Sequence, residues 1–253
     1  MDKFFYFLFF AVASCTVLPA QLTTDADFRR KVYEKENYGG LNFHSRGFGA
    51  QARLLSYQDG FNKVGWEMEL TKIRHPKETL TPDRLLGNSR GFVFGRINTF
   101  FALRGGLAKE KILFDKTDQG SISITWVYSG GLSLGLLKPI YVQFIEPNEN
   151  GINTSVVRRY NPSEMPASFV IGEASFFRGF DEMRFRPGLY FKTGFSFDFQ
   201  LLDDQITALE VGVLHDYYVQ PVRIFTPDLR EGDVNKAGFL QIYFAFNFGK
   251  KKL

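Results

Sequence analysis

The chain has 253 residues, 44% hydrophobic and 17% aromatic, enough apolar material for one large or two small folded units and too much for a disordered polymer. Its formal charge of +4 is small and its basic residues are dispersed, which argues against a nucleic-acid partner. The single cysteine, Cys15, excludes a disulfide framework within the chain and a cysteine-held metal.

The first residues, MDKFFYFLFFAVASCTVLPAQ, carry one Lys, an apolar run over Phe4–Ala13 and a small residue, Ala20, before Gln21. This is the layout of a secretory signal peptide covering 1–20, and the run is too short for a helical span. Two processing sites compete. Val12-Ala13-Ser14-Cys15 has the look of a lipoprotein box, but the residues after Cys15 are more apolar than a tether, which favours cleavage after Ala20. The leader carries one Lys and one Asp, so its loss leaves the net charge unchanged. Either way the chain is expected to leave the cytoplasm.

Residues 21–39 are polar and charged and read as a periplasmic lead-in. Gly40–Tyr57 reads as one Gly-broken strand whose parity slips near Gly47–Gly49, as at a bulge. Asp59-Gly60 marks a turn, and Val64–Arg74 alternates Val64, Trp66, Met68 and Leu70 against Glu67, Glu69 and Thr71. His75–Arg90, with two prolines, reads as a loop, Gly91–Arg104 as a strand and Gly105–Gln119 as a charged loop. Ser121–Leu137 is a clean strand, and Lys138-Pro139 breaks it before Ile140–Glu146 returns. The connection 147–183 is the longest, and connections this long are functional or self-packed.

Phe185–Leu201 is the strongest signal. Phe185, Leu189, Phe191, Phe195, Phe197 and Phe199 share one face, while Arg186, Tyr190, Lys192, Ser196 and Asp198 share the other. It pairs with Ile206–Tyr218, and the last strand is Gly238–Phe248, with a basic tail at 250–253.

Alternation alone fits a soluble sandwich as well as a membrane barrel. The leader, polar faces rich in Gly, Ser and Thr, and strands long enough to tilt across a bilayer together point to lipid. The expected fold is all-β, an antiparallel up-and-down transmembrane barrel of about eight strands over 40–249, with one long extracellular loop at 147–183. Both termini are then periplasmic. Residues 138–139 and 202–205 form short inner turns, and 105–119, 147–183 and 219–236 form long outer loops. The long 75–90 and the short 58–62 break this pattern.

Arg46, Glu67, Glu69, Arg96, Lys192, Asp198 and Glu210 fall on the polar faces. An eight-stranded barrel has room inside only for side chains, so these charges are expected to pair as an interlocked lumen network rather than to line a pore.

Leu18–Gln21, Tyr38–His44, Arg74–Glu78, Gly131–Pro139 and the Phe-rich last strand give the chain a general similarity to the small outer-membrane β-barrel proteins of Bacteroidota. The resemblance covers most of residues 38–249 and implies a barrel in the cell outer membrane, touching outer-membrane lipid and lipopolysaccharide. It assigns no catalytic residue. The five residues after Phe248 depart from barrels that stop at an aromatic residue.

Some small outer-membrane barrels are lipid-modifying enzymes with a His, a Ser and a carboxylate at the rim. Here His44, His75 and His215 have no nucleophile at a suitable spacing, and Asp216 faces away from His215. No metal or cofactor motif is present. The expectation is a non-enzymatic barrel with a structural or protein-interaction role, such as a subunit of an outer-membrane assembly or secretion machine. A lipid- or lipopolysaccharide-modifying enzyme and a narrow passive pore are the alternatives. Arg158, Arg159, Arg178, Arg184 and Arg186 suit lipopolysaccharide phosphates, and the apolar Phe169–Phe180 segment, with Phe176 and Phe177, suits a protein partner or a covering over the barrel mouth.

Overall fold

A computed structural model describes residues 33–75, 78, 80–81, 92–115, 121–147, 153–199, 204–226 and 235–252. The signal-peptide expectation and most of the lead-in lie outside the described residues. Eight long strands close into an antiparallel barrel: β1 (Lys35–His44), β2 (Gly47–Tyr57), β3 (Asn62–Ile73), β6 (Asn98–Phe114), β7 (Ser123–Pro139), β11 (Arg184–Asp198), β12 (Gln205–Tyr218) and β13 (Gly238–Lys252). Each pairs with its sequence neighbour in the barrel, and β1 closes on β13 with Phe43 opposite Phe244. Closure leaves no open sheet edge, the condition for carrying strands through hydrocarbon.

The barrel is inverted relative to a soluble protein. Leu41, Phe48, Leu54, Trp66, Met68, Leu70, Leu132, Leu189, Phe191 and Phe195 are exposed. Arg53, Glu67, Glu69, Arg104, Lys192, Glu210 and Asp216 are buried. Along β13 the outward set is Leu240, Ile242, Phe244, Phe246 and Phe248. Leu240–Phe248 matches the roughly 9–11 residues a tilted strand needs to cross the hydrocarbon. Charged residues with outward parity are all lysines and sit at the strand ends: Lys35, Lys109, Lys111, Lys250 and Lys252 at one end, Lys72 and Lys138 at the other. The exposed stems of Lys35, Lys111, Lys250 and Lys252 reach from there toward headgroups. The fold is a membrane-spanning barrel.

The strand count of eight is reached by a different route from the sequence reading. Gly40–Tyr57 is two strands, because the parity slip is a tight turn at Ser45-Arg46 that pairs His44 with Gly47. Most of the expected loop Gly105–Gln119 is strand, since β6 runs through Gly105-Gly106 to Phe114, and its residues 116–119 lie outside the described residues. Ile140–Glu146 is not a barrel strand: β8 (Tyr141–Pro147) is the centre of a separate sheet with β9 (Asn153–Arg159) and β10 (Val170–Glu173). The outermost strands also take in Lys35–Gly39 and Lys250–Lys252, which the sequence reading set outside the barrel.

These corrections remove the two exceptions to the loop pattern. The end that holds the termini has the short connections 58–61, 115–122 and 199–204. At 58–61 the Asp59 carboxylate accepts bonds from the Phe61 and Asn62 N–H groups and the Asn62 amide, which hold its carboxyl below the usual range. The opposite end has one tight turn and the long connections 74–97, 140–183 and 219–237, so 138–139 is not an inner turn. The first of these holds a two-stranded pairing of β4 (Leu80–Thr81) with β5 (Phe92–Val93).

Phe244 lies at the middle of the outward set of β13. Replacing it with Arg places a cation near the bilayer midplane, at an expected cost of about 2–4 kcal/mol, whereas Lys250→Ala costs close to nothing. Urea titration of barrels folded in phospholipid vesicles measures both.

Candidate functional site

Inward side chains fill the barrel from wall to wall. Glycine pairs make the room: a Cβ on Gly212 would stand 2.6 Å from the Gly194 Cα and 2.8 Å from the Tyr243 ring, and one on Gly188 would meet the Tyr218 ring at 2.7 Å. Tyr243 and Tyr218 therefore lie along the inner wall over floors with no side chain.

Two guanidinium groups organise the charges. Arg53 binds Glu67 through Nε and forks onto Glu210 at 2.7 and 2.9 Å, with Glu110 at 3.3 Å. Arg104 forks onto Asp216 at 2.8 and 2.7 Å and binds Glu69. Lys192 bridges the two sets, donating to Glu69 at 3.1 Å and Gln51 at 2.7 Å and lying 3.8 Å from both Glu67 and Glu210. Hydroxyl and amide donors complete the carboxylates: Ser129 on Glu67, Thr71 on Glu69, Tyr243 and Asn247 on Glu210, Ser133 and Gln241 on Asp216. Toward the short-turn end Lys63 joins Glu36 and Glu110, and the Tyr38 hydroxyl donates to Glu110.

The long-loop end of the lumen is closed by hydrocarbon. Val222, Ile224 and Phe225 of the last long connection pack with Phe100, Leu137, Tyr218 and Phe239. Asn235 clamps this segment, accepting from the Ile224 and Phe225 N–H groups and donating to the Phe225 carbonyl.

Above this plug the three long connections interlock as a cap. The Ile97 N–H donates to the Ile224 carbonyl, Thr226 N–H to the Gly95 carbonyl, and Ile140 N–H to the Ile97 carbonyl. A second apolar core, Phe92, Ile140, Val142, Tyr160, Met165 and Val170, lies beneath the β8–β9–β10 sheet. Tyr160 is buried there, which pushes its phenol above the ordinary value. Arg96 ties the cap together by charge, bonding Glu78 at 3.1 Å and Glu173 of β10.

The structure brings Glu67, Glu69, Lys192 and Glu210 into one network and places the other three expected lumen charges elsewhere. Arg96 belongs to the cap, because β6 begins only at Asn98. Arg46 sits in the β1–β2 turn with its guanidinium 5.4 Å from the Phe239 ring centre. Asp198 lies at the short-turn rim, 3.8 Å from Lys251. The reading missed Arg53, Arg104, Glu110 and Asp216. Continuing the alternation of β6 through its glycines would have put Arg104 and Glu110 on the face that Arg53 and Asp216 share.

The expected phosphate clamp is spread out. Arg158 pairs with Glu146 at 3.0 Å and Arg159 with Glu182 at 3.3 Å. Arg178 lies in a surface turn, Arg184 opens β11 exposed, and Arg186 is half-buried with its Nη1 on the Phe185 carbonyl. Phe176 and Phe177 lie beside each other on the surface, and the plug takes the place over the mouth expected of the Phe169–Phe180 segment. His215 is exposed on the outward face, while Asp216 is buried against Arg104. His44 has both ring nitrogens buried without a hydrogen-bond partner. Among the described residues no group of three His, Cys, Asp or Glu could hold a metal ion.

Apolar exterior, ion-paired interior and closed sheet together define an eight-stranded barrel of the outer-membrane type. No protein-family model matches the chain, and no curated protein matches it. Among solved structures it is similar to the crystal structure of Neisserial surface protein A (NspA), at 12% identity and a TM-score of 0.35, over 87% of this chain and 96% of that one. That likeness is too slight to carry an argument, and the assignment rests on the barrel itself.

Arg53→Ala strands the Glu67 and Glu210 carboxylates in a dry interior and is expected to destabilise the barrel by about 3–5 kcal/mol in urea titration. Arg96→Ala is expected to leave that titration unchanged while speeding protease cleavage in the cap, read by the fragments released from folded protein in vesicles.

Proposed function

We propose that this is a non-enzymatic outer-membrane barrel whose working surface is the cap, and that it serves as an interaction subunit of a larger envelope assembly, such as an outer-membrane assembly or secretion machine. The observation that carries this reading is the contrast between the two ends. One end is short turns, while the other holds three long connections folded into one body with its own apolar core and ionic tie. Ordering a chain costs roughly 1–2 kcal/mol per residue in backbone entropy alone, so loops without a role in recognition have little reason to fold this far.

The lumen supports the same reading. Its charges engage one another, and an apolar plug stands over them. A barrel of this size is filled by side chains, which favours a strut over a solute path. In this reading the termini are periplasmic and the cap faces outward, among lipopolysaccharide headgroups. Arg178 and Arg184, exposed and without an ion pair among the described residues, are the side chains offered to their phosphates. The Bacteroidota affinity rests on sequence resemblance alone.

The test replaces residues 142–172 with a short flexible linker and cross-links the tagged protein in native membranes. The expected result is a barrel that still shows heat-dependent gel mobility but loses its specific cross-linked partner. An unchanged set of cross-links would overturn the proposal.

A further inference from the structure

Residues 174–180 leave the cap sheet and fold against the outer wall of the barrel. The Ala174 N–H donates to the Tyr141 carbonyl at 2.8 Å, and the Arg178 N–H donates to the Ser175 carbonyl at 3.1 Å, closing a turn. Gly179 completes it at φ +83°, in the left-handed region, where a Cβ would also stand 3.0 Å from the Tyr141 ring. Only glycine lets the segment close this tightly onto the end of β7.

The fold-back assembles a ring cluster. Phe176 meets Phe177 at 5.7 Å and Phe180 at 5.5 Å, both edge-on, and lies 6.3 Å from Phe101. Phe101 has the outward parity of β6, in line with Leu103 and Leu107, so the cluster is continuous with the lipid-facing wall. Beneath it the Lys138 amine lies 5.1 Å from the Phe176 ring centre and 5.5 Å from that of Phe180, and donates to the Arg178 carbonyl at 3.1 Å. Lys138 is the outward charge at which the apolar band of β7 stops.

Among the described residues the rings stay open: Phe177 is 81% exposed, Phe176 45% and Phe180 43%. Aromatic rings over a cation, at the height where an apolar wall ends, have the composition of a bilayer interface.

We propose that residues 174–180 are a membrane anchor, with Phe176, Phe177 and Phe180 seated at the boundary of headgroups and acyl chains beside the barrel. The occupant is lipid, because the cluster extends a wall already wetted by acyl chains. The anchor ties the cap to the membrane surface and limits its tilt.

Single-tryptophan proteins folded in phospholipid vesicles test this, with acyl chains brominated either near the headgroup or near the chain end. Trp66→Phe leaves Trp126 on the outward face as the reporter of barrel insertion. Trp66→Phe with Trp126→Phe and Phe177→Trp reports on the anchor. Phe169→Trp in the same background reports on the cap, where Phe169 meets Phe144 edge-on. The expected result for Phe177→Trp is blue-shifted emission that loses intensity to the shallow bromines more than to the deep ones, with Phe169→Trp unaffected by either. If Trp126 is quenched while Phe177→Trp responds only to aqueous acrylamide, the barrel is inserted and the segment is in water, which overturns the proposal. Stronger quenching by the deep bromines would overturn it as well.

Discussion

Arg53 and Arg104 have no contact with solvent, and the wall around them is too thin to supply any partner but what points inward. A lone guanidinium in that place would cost several kcal/mol, and so would each carboxylate beside it. The forks onto Glu210 and Asp216, with Lys192 between, make the charges mutually dependent. The strands that carry them, β2, β3, β6, β11 and β12, together with β13 through Asn247, are thereby bound across the lumen as well as along their edges. Everything outside follows from this. With the charges paired within, the outward faces are free to be hydrocarbon, and the lipid can be their solvent.

The two ends of the barrel are closed by different chemistry. Toward the termini the seal is ionic, Lys63 with Glu36 and Glu110, next to the buried Tyr38 and Leu55. Toward the cap it is a hydrophobic plug that the last long connection contributes and Asn235 holds in place. The plug links the cap to the barrel, because Ile224 and Phe225 touch barrel residues below and bond residues 96–98 beside them. The cap is accordingly a continuation of the fold and not a set of loops resting on it. Arg96, at its centre, does in the cap what Arg53 does in the lumen, with the difference that its carboxylate partners remain partly open to water.

The outer-wall segment at 174–180 adds a third boundary. Its glycine turn and its rings place aromatic surface where β7 passes from apolar to basic, so the cap meets the membrane laterally as well as the barrel vertically.

Much of the architecture was legible from periodicity. Phe185–Leu201, Ser121–Leu137 and Gly238–Phe248 could be nothing but strands with one apolar face, because a side-chain period of two survives any tertiary context. The closed lumen followed from strand number. What periodicity cannot decide is where a strand turns back when the turn has only two residues, as at Ser45-Arg46, or whether charge ends a strand when the charge is turned inward, as at Glu110. Both depend on what lies across the barrel. The identities of the lumen partners, Arg53 with Glu210 and Arg104 with Asp216, join residues far apart in the chain, and only closure of the sheet brings them together. Local sequence determined which faces are oily and which are charged; the three-dimensional closure decided which charges meet, because ion pairing depends on distances that no local pattern encodes.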